Sequence, residues 1–294
     1  MIDPRKLAAL MLAAAFTAAG CFGCGKRGKD SSSDEAEAVS GEDDLNEHSL
    51  SVTFLDVGKA DSMIIRSGNS TVVMDCGEKG DGKEIVSFLK DRGVTSVDYL
   101  IITHYDKDHV GGAAKVISNF DVANVIGPDY WEYSDEADKY RQALEAKHIE
   151  PQLITKDMSF SLGGAEYTVF APKQDYYGPD NDNDFSLVTR LKYQDTTFLF
   201  AGDAMDIRLK EVMDVAGDCD LLKIPYHGRK LNALGAFLDR TSPEYAVVCT
   251  DKNDFSSYVK NLLSEKNIKY WSTAFNGRIT AISDGTNITV TSEK

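Results

Sequence analysis

The chain has 294 residues, a length that allows one large domain or two small ones. Hydrophobic residues make up 42% of it and aromatic residues 10%, which excludes a protein that is disordered throughout. The formal charge is −15 at pH 7, and so acidic a surface would repel nucleic acid or an anionic membrane unless metal ions or a local basic patch reversed the field.

The N-terminal segment has the pattern of an export signal followed by a polar tether. A basic start precedes an apolar stretch, residues 7–19, that is too short to span a bilayer comfortably, so residues 1–20 are predicted to be a cleaved lipoprotein signal peptide. Small residues directly before Cys21 resemble a bacterial lipobox, which implies that Cys21 carries a lipid. Residues 21–48 are rich in Gly, Ser, Asp and Glu and predict a lipid anchor with a disordered acidic tether. The protein is expected to be anchored to the outer face of a bacterial cell membrane.

The folded domain is predicted to span residues 49–294 and to alternate strands with helices. Three β-rich runs predict an antiparallel meander: 51–57, 61–67 and 71–76. Further strands are predicted near 97–102, 121–126, 158–162, 166–171, 185–193, 196–201, 220–224, 245–250, 268–273, 278–283 and 287–292. Helices are predicted over 81–92, from Gly111-Gly112, and over 135–148, 206–215, 231–239 and 255–266. This alternation indicates a layered α/β fold.

Metal-binding residue types recur where predicted strands end. Four donors lie within six residues directly after the apolar run 97–102: His104, Asp106, Asp108 and His109. Asp203 and His227 each follow another apolar run. Because open α/β sheets bind ligands at the carboxyl ends of their strands, these residues predict a single metal site.

The remaining histidines and cysteines have less specific interpretations. His48 lies in the tether and His148 at the end of a predicted helix, and both are expected at the surface. Cys76, Cys219 and Cys249 lie in or beside strand-like runs and are predicted to be buried thiols.

The sequence contains five motifs that belong together: His104-x-Asp106-x-Asp108-His109, Ala-Gly-Asp203, Pro-Tyr-His227-Gly, Phe54-Leu55-Asp56-Val57-Gly58-Lys59-Ala60-Asp61 and Ser186-Leu187-Val188. In this order they resemble the metallo-β-lactamase superfamily, and in particular the hydrolase domain of ComEC-type competence proteins. The resemblance covers residues 50–292 and implies an αββα sandwich of two mixed sheets flanked by helices.

The resemblance also implies a centre with two divalent ions, zinc or manganese. The implied ligands are His104 and Asp106 for the first ion, Asp108, His109 and His227 for the second, and Asp203 as the bridge. Asp108 would also act in catalysis by orienting the attacking water and taking its proton. Asp75 matches an aspartate that orients a ligand by hydrogen bonding, and Asp61 matches another family position that supports the site.

This sequence departs from the family pattern at the first ion. Asp106 stands at the position where the family usually has the second histidine of the motif. The sequence also lacks the histidine that usually completes the first ion's ligands, so Asn183 or Asp184 is the candidate substitute. A site richer in oxygen donors favours harder ions such as manganese over zinc.

Basic and aromatic residues near the motifs are candidates for substrate contacts. The candidate phosphate-binding cations are Arg229, Lys230 and Lys252, with solvated surface as the alternative. The aromatic residues of the segment 128–133, namely Tyr130, Trp131 and Tyr133, would either stack on a ring of the substrate or pack locally.

The function expected from these features is that of a cell-surface, metal-dependent hydrolase. The resemblance favours a phosphodiesterase or nuclease that uses a hydroxide held by two ions, with DNA or a wall polymer as the phosphodiester substrate. Two alternatives stay open: hydrolysis of a wall polymer or lipid head group, and a binding or scaffold lipoprotein with an impaired metal site. No protein partner is evident.

Overall fold

The computed structural model describes residues 49–179 and 181–294. The predicted signal peptide and tether, with Cys21 and His48, lie outside these residues. The longest helix in the described ranges has 13 residues, and none there is both long and apolar enough to cross a membrane.

Two mixed sheets face each other. In chain order, the strands of the described residues are β1 (Leu50–Phe54), β2 (Met63–Ser67), β3 (Ser70–Met74), β4 (Ser96–Ile101), β5 (Asp121–Pro128), β6 (Gln152–Ile154), β7 (Met158–Leu162), β8 (Ala165–Phe170), β9 (Val188–Tyr193), β10 (Thr196–Phe200), β11 (Leu221–Lys223), β12 (Tyr245–Val248), β13 (Lys269–Ser272), β14 (Ile279–Ser283) and β15 (Ile288–Ser292). The first sheet has the order β15-β14-β1-β2-β3-β4-β5-β6, and the second has the order β13-β12-β11-β10-β9-β8-β7.

Helices cover the outer faces of both sheets. They are α1 (Gly82–Asp91), α2 (Lys107–Val110), α3 (Ala113–Asn119), α4 (Asp135–Lys147), α5 (Asp206–Val212), α6 (Leu234–Thr241), α7 (Ser257–Glu265) and α8 (Thr273–Asn276). The predicted αββα sandwich is confirmed.

Successive side chains of a strand point to opposite faces of the sheet, so each sheet packs against the other sheet on one face and against helices on the other. In β4, Ile101 packs into the cluster between the sheets, whereas the preceding Leu100 packs against helices on the outer face. Phe54 and Phe200 meet across the interior with ring centroids 6.4 Å apart. Burying each such side chain contributes about 1.5–3 kcal/mol, so both faces of each sheet hold the sandwich together.

The predicted elements need a few corrections. The predicted strand over 185–193 is wrong at its start, because Asp182–Phe185 is a 3₁₀ turn and the strand begins at Val188. The first predicted strand, 51–57, ends early at Phe54, since Leu55 turns away and donates to the Ser62 carbonyl at 3.0 Å. The short elements α2, β6 and α8 were not predicted, because three or four residues are too few to establish a period.

The topology brings the predicted metal donors to one edge. β3 and β4 are parallel neighbours in the first sheet, and β10 and β11 are parallel neighbours in the second. Their carboxyl ends lead directly to the candidate site: Asp75 after β3, His104 after β4, Asp203 after β10 and His227 after β11. The structure therefore brings these candidate donors together at the strand ends, where the sequence places the site.

Candidate metal centre

His109 lies on α2 between two carboxylates. Its Nδ1 is 2.9 Å from Asp75 Oδ2, and its Nε2 is 3.5 Å from Asp203 Oδ2. Asp75 is fixed in turn, because Thr103 donates to it from the backbone N–H at 2.8 Å and from the hydroxyl at 2.7 Å. Since Nδ1 is engaged by Asp75, Nε2 is the atom that His109 offers to a metal.

His104 is oriented through the same threonine. The Thr103 hydroxyl has one hydrogen, which it donates to Asp75, so its oxygen accepts from His104 Nδ1 at 3.2 Å. The fully buried His104 therefore presents Nε2 toward the site, 3.6 Å from Asp106 Oδ2. Asp106 itself has a side chain that is 35% exposed, which puts it at the mouth of the site.

His227 reaches the centre from a strained turn after β11. Its φ is +50° and that of Tyr226 is +51°, in the left-handed region that costs non-glycine residues free energy. The His227 Nδ1 donates to the Cys249 carbonyl at 3.0 Å. Its Nε2 then lies 3.0 Å from Asp203 Oδ2 and 3.4 Å from Asp108 Oδ2. Strain of this kind concentrates at functional sites.

A buried ion pair supports the centre from below. The ammonium of Lys223 contacts Asp61, donates to the Gly202 carbonyl at 3.0 Å and lies 3.6 Å from Asp203 Oδ1. Burial lowers the pKa of Lys223, but Asp61 and Asp203 outweigh burial and raise it above its usual value. Burial likewise opposes ionisation of Asp61, whose pKa is nevertheless lowered by Lys223 and His109. Both groups are therefore charged.

Lys223 was missed by sequence reasoning, although the sequence carries a signal for it. A lysine inside the apolar run 221–225 would lie in a buried strand, and a buried ammonium requires a carboxylate partner. What no local pattern supplies is the identity of that partner, Asp61, which is distant in sequence.

The centre satisfies a test for cation binding. Within the described ranges, four buried polar atoms of this cluster have no hydrogen-bond partner: Nε2 of His104, His109 and His227, and Oδ1 of Asp203. Donor atoms of His104, His109 and Asp203 lie within 4.8 Å of one another, and so do those of Asp108, His109 and His227. Such clusters of imidazole and carboxylate donors fit divalent metals.

The pKa shifts of the clustered histidines and Asp203 also favour cation binding. Burial favours a neutral ring, but the surrounding carboxylates, Asp203 foremost, together outweigh burial and raise the pKa of His109 and of His227 well above the usual value. Burial also opposes ionisation of Asp203, yet the two histidines hold the pKa of Asp203 well below the usual value. The carboxylates thus stabilise positive charge at both imidazoles, and a divalent cation would supply that charge by displacing their protons.

A pocket of about 340 Å³ opens onto the centre. Its lining residues are Lys59, Asp106, Lys107, Asp108, Glu132, Ser134, Glu136, Asn183, Asp203, Tyr226 and Arg229. Lys59, missed by sequence reasoning, has its Nζ 3.3 Å from Asp108 Oδ2 and a side chain that is 32% exposed. Lys59 is therefore a cation of the pocket lining that contacts a candidate metal ligand, Asp108.

The three predicted phosphate-binding cations are placed differently. Arg229 lines the pocket, and its Nη2 donates to Asp254 at 2.8 Å. Lys230 lies over the ring of Tyr258, 5.1 Å from the centroid, and neither Lys230 nor Lys252 is among the pocket-lining residues. The structure therefore brings one of the three to the pocket.

The two candidates for the missing ligand also differ. Asp184 Oδ1 accepts from the backbone N–H of Met205 at 2.8 Å and of Arg208 at 3.1 Å, and its Oδ2 accepts from Asn181 at 3.0 Å. Both carboxylate oxygens of Asp184 are thus engaged: Oδ1 holds the start of α5, and Oδ2 holds the amide of Asn181. Asn183 lines the pocket.

The remaining candidates have simpler environments. Tyr130 stacks on Phe185 with centroids 4.4 Å apart and accepts from the Tyr105 N–H at 2.7 Å, so it packs locally. Trp131 and Tyr133 are 60% and 88% exposed. His148 is exposed, as predicted. The predicted buried thiols are confirmed: Cys76, Cys219 and Cys249 are free and buried.

The chain resembles known proteins in sequence and in fold. It matches the family model described as the Metallo-beta-lactamase superfamily over residues 55–251. It is 25% identical over 253 residues to ComE operon protein 3 of Bacillus subtilis (strain 168), a match that covers 78% of this chain and 32% of that protein. It is 28% identical over 206 residues to competence protein ComA of Neisseria gonorrhoeae, covering 68% of this chain and 27% of that protein. The chain therefore spans about a third or less of the length of these relatives.

A solved structure shares the fold. The metallo-beta-lactamase fold protein YhfI from Bacillus subtilis matches with a TM-score of 0.52 at 12% sequence identity. The match covers 76% of this chain and 95% of that one. At this identity the likeness shows the fold alone.

Proposed function

Since this chain belongs to the metallo-beta-lactamase superfamily, we propose that it is a metal-dependent hydrolase and, more narrowly, a phosphodiesterase. The observation that carries the proposal is the convergence of three buried imidazole Nε2 atoms, without hydrogen-bond partners in the described residues, around Asp203. This arrangement costs free energy in an apolar interior unless a cation binds there.

The donor set divides between two ions. Asp108, His109 and His227 would hold one ion, His104 and Asp106 the other, and Asp203 would bridge them, with zinc or manganese as the metal. When bound, such ions act as Lewis acids on a phosphoryl oxygen and lower the pKa of a water molecule, so that it attacks near neutral pH.

The remaining roles belong to the residues of the pocket. Asp108 lines the pocket and lies 3.4 Å from His227 Nε2, so its carboxylate is positioned to orient the attacking water and to accept its proton. Lys59 and Arg229 line the same pocket and would donate to non-bridging phosphate oxygens. Between them they supply the positive charge that an anionic diester needs in an acidic pocket.

The overall charge bears on the kind of phosphodiester. A net charge of −15 opposes tight, non-specific binding of DNA, which depends on neutralising phosphates with Lys and Arg. The relative named competence protein ComA supports DNA as a candidate substrate, and a wall polymer or lipid head group would suit a protein that a lipid on Cys21 anchors at the membrane. Lipid labelling of the expressed protein, lost in C21S, would test this location.

Turnover of bis-p-nitrophenyl phosphate tests the proposal. The full chain, stripped with a chelator and reloaded with Mn²⁺ or Zn²⁺, is expected to hydrolyse the diester only with metal. H227A removes a donor from the centre and is expected to lower turnover at least about 100-fold, whereas H148A changes an exposed histidine outside the site and leaves turnover unchanged. A protein that binds both ions and yet cleaves no phosphodiester would contradict the proposal.

The same preparation distinguishes the substrates. Single-stranded DNA, double-stranded DNA, a polyol-phosphate wall polymer and a glycerophosphodiester are compared at equal phosphodiester concentration. The diester with the largest metal-dependent kcat/KM identifies the substrate class. Absence of metal binding in the wild type would favour the scaffold alternative instead.

A further inference from the structure

We propose that the side-chain oxygen of Asn183 binds the ion held by His104 and Asp106 and makes this position selective for a hard divalent ion such as Mn²⁺. The inference rests on the metal centre of the proposed function. Asn183 Oδ1 is buried and has no hydrogen-bond partner in the part of the chain that the structure describes, and Asn183 lines the pocket together with Asp106 and Asp203. A buried amide oxygen without a partner is costly, and a metal ion supplies the missing interaction.

The turn that carries Asn183 is tied to both sides of the centre. Just beyond the turn, the Leu187 N–H donates to the Thr103 carbonyl at 2.9 Å, next to His104. The Ser186 hydroxyl accepts from the Asp203 N–H at 3.0 Å. These bonds fix the turn between the loop that carries His104 and the loop that carries Asp203.

Aromatic packing fixes the turn from a third direction. Phe185 stacks on Tyr130 with centroids 4.4 Å apart, and the Tyr130 hydroxyl accepts from the Tyr105 N–H at 2.7 Å. Tyr105 stands between His104 and Asp106 in the chain. The turn that carries Asn183 is therefore held beside the segment that carries His104 and Asp106, the two donors for which a further ligand is sought.

The neighbouring carboxylate does not compete for this role. Asp184 uses both oxygens for the N–H groups of Met205 and Arg208 and for the amide of Asn181. Releasing it for a metal would leave the N–H groups of α5 unpaired. Asn183, whose oxygen has no such commitment in the described ranges, is the available donor.

The resulting donor set determines the metal preference. One imidazole from His104 would be joined by three oxygens, from Asp106, Asn183 and Asp203. The other ion would have two imidazoles, from His109 and His227. Oxygen donors favour harder ions and imidazole favours zinc, so the two positions of one centre would differ in selectivity.

Metal titration of the full chain tests this inference. After chelator treatment, the wild type is expected to bind two Mn²⁺ by calorimetry and by electron paramagnetic resonance. N183A is expected to bind one of them at least about tenfold more weakly, and N183D, which keeps an oxygen, to retain both. N183H exchanges oxygen for imidazole and is expected to shift competition between Mn²⁺ and Zn²⁺ toward zinc by about tenfold or more. N119A, at an exposed position on α3, serves as the matched control.

The outcomes separate this inference from the proposed function. Weakened Mn²⁺ binding in N183A supports the inference whether or not the protein cleaves a phosphodiester. Wild-type Mn²⁺ affinity and stoichiometry in N183A overturn it even where turnover is present. Should N183A fail to fold, unchanged metal selectivity in a folded N183H overturns it equally.

Discussion

At the scale of single residues, each histidine of the centre is held at Nδ1 and presents Nε2. Asp75 holds His109, the Thr103 hydroxyl holds His104, and the Cys249 carbonyl holds His227. Asp75 also accepts from Thr103, so one carboxylate orients two of the rings. Such outer partners set the tautomer and direction of a metal ligand.

Thr103 provides a direct test of this arrangement. T103V keeps the shape of the side chain but removes its donation to Asp75 and its acceptance from His104. Metal affinity, measured by calorimetry, is expected to fall by about 10–100-fold, and T103S is expected to restore it. T95V, at an exposed position, is the matched control. Unchanged affinity in a folded T103V would show that the hydroxyl does not orient His104.

Lys223 tests the buried charges below the centre. K223M leaves the fully buried Asp61 without its cation, and breaking such a pair is expected to lower the free energy of unfolding by about 3–5 kcal/mol. The double variant K223M/D61N removes both charges and should recover part of that loss. Urea denaturation measures these differences, with K192M on the exposed face of β9 as the control. A K223M protein as stable as the wild type would refute this account of the pair.

At the scale of elements, the site depends on the parallel halves of the two sheets. β3 pairs with β4 and β10 pairs with β11, each in parallel. The carboxyl ends of both strands in each pair therefore lie at the edge of the sheet that forms the site. The order of strands in the chain was largely predictable from apolar runs and turn residues. The 3₁₀ turn Asp182–Phe185 was not, because bonds from α5 to Asp184 hold it.

The attachment of α5 to this turn leads to a separate prediction. D184A removes the acceptor for the N–H groups of Met205 and Arg208, and the free energy of unfolding is expected to fall by about 2 kcal/mol. Because Asp184 uses Oδ1 for α5 and Oδ2 for Asn181, and because Leu187, Ser186 and Phe185 also hold the turn, Mn²⁺ stoichiometry should stay at the wild-type value. Chemical denaturation and metal titration of the same preparation check the two parts. Loss of an ion in a folded D184A would contradict the second part.

At the scale of the whole molecule, the described domain combines an acidic surface with a core that contains free thiols. Burial, followed by the charge of Asp220, raises the pKa of Cys219 to about 12. Burial also raises the pKa of Cys76 and of Cys249 well above the usual value. These thiols stay protonated in the folded protein at a pH at which an unfolded chain ionises them.

This difference predicts a loss of stability in alkaline solution. A free thiol in the unfolded chain has a pKa of about 8.5, so above that pH the unfolded state binds fewer protons than the folded state, and stability falls as pH rises toward the folded pKa of Cys219. That one thiol contributes a slope of up to about 1.4 kcal/mol per pH unit. Unfolding free energies at about pH 7.5 and about pH 9.5, for the wild type and C219A, measure it. Equal slopes in the two proteins would contradict the prediction.

The sequence by itself predicted a layered α/β fold and most of the candidate metal donors, because both depend on local patterns; the αββα sandwich was implied by the family resemblance. A strand that is buried on both faces appears as an apolar run, and a donor directly after it lies at the sheet edge; His104, His109, Asp203 and His227 were found in this way. Buried thiols followed from the same reasoning.

Only the tertiary structure decided which groups meet. It paired Lys223 with Asp61, brought Lys59 to Asp108, and bound Oδ1 of Asp184 to the N–H groups at the start of α5. These contacts join residues that are far apart in the chain, and their formation depends on how the sheets pack and where side chains point. Local sequence periodicity carries no information about contacts between residues that are far apart in the chain. The pattern that identified the candidate donors therefore could not identify the residues that they contact.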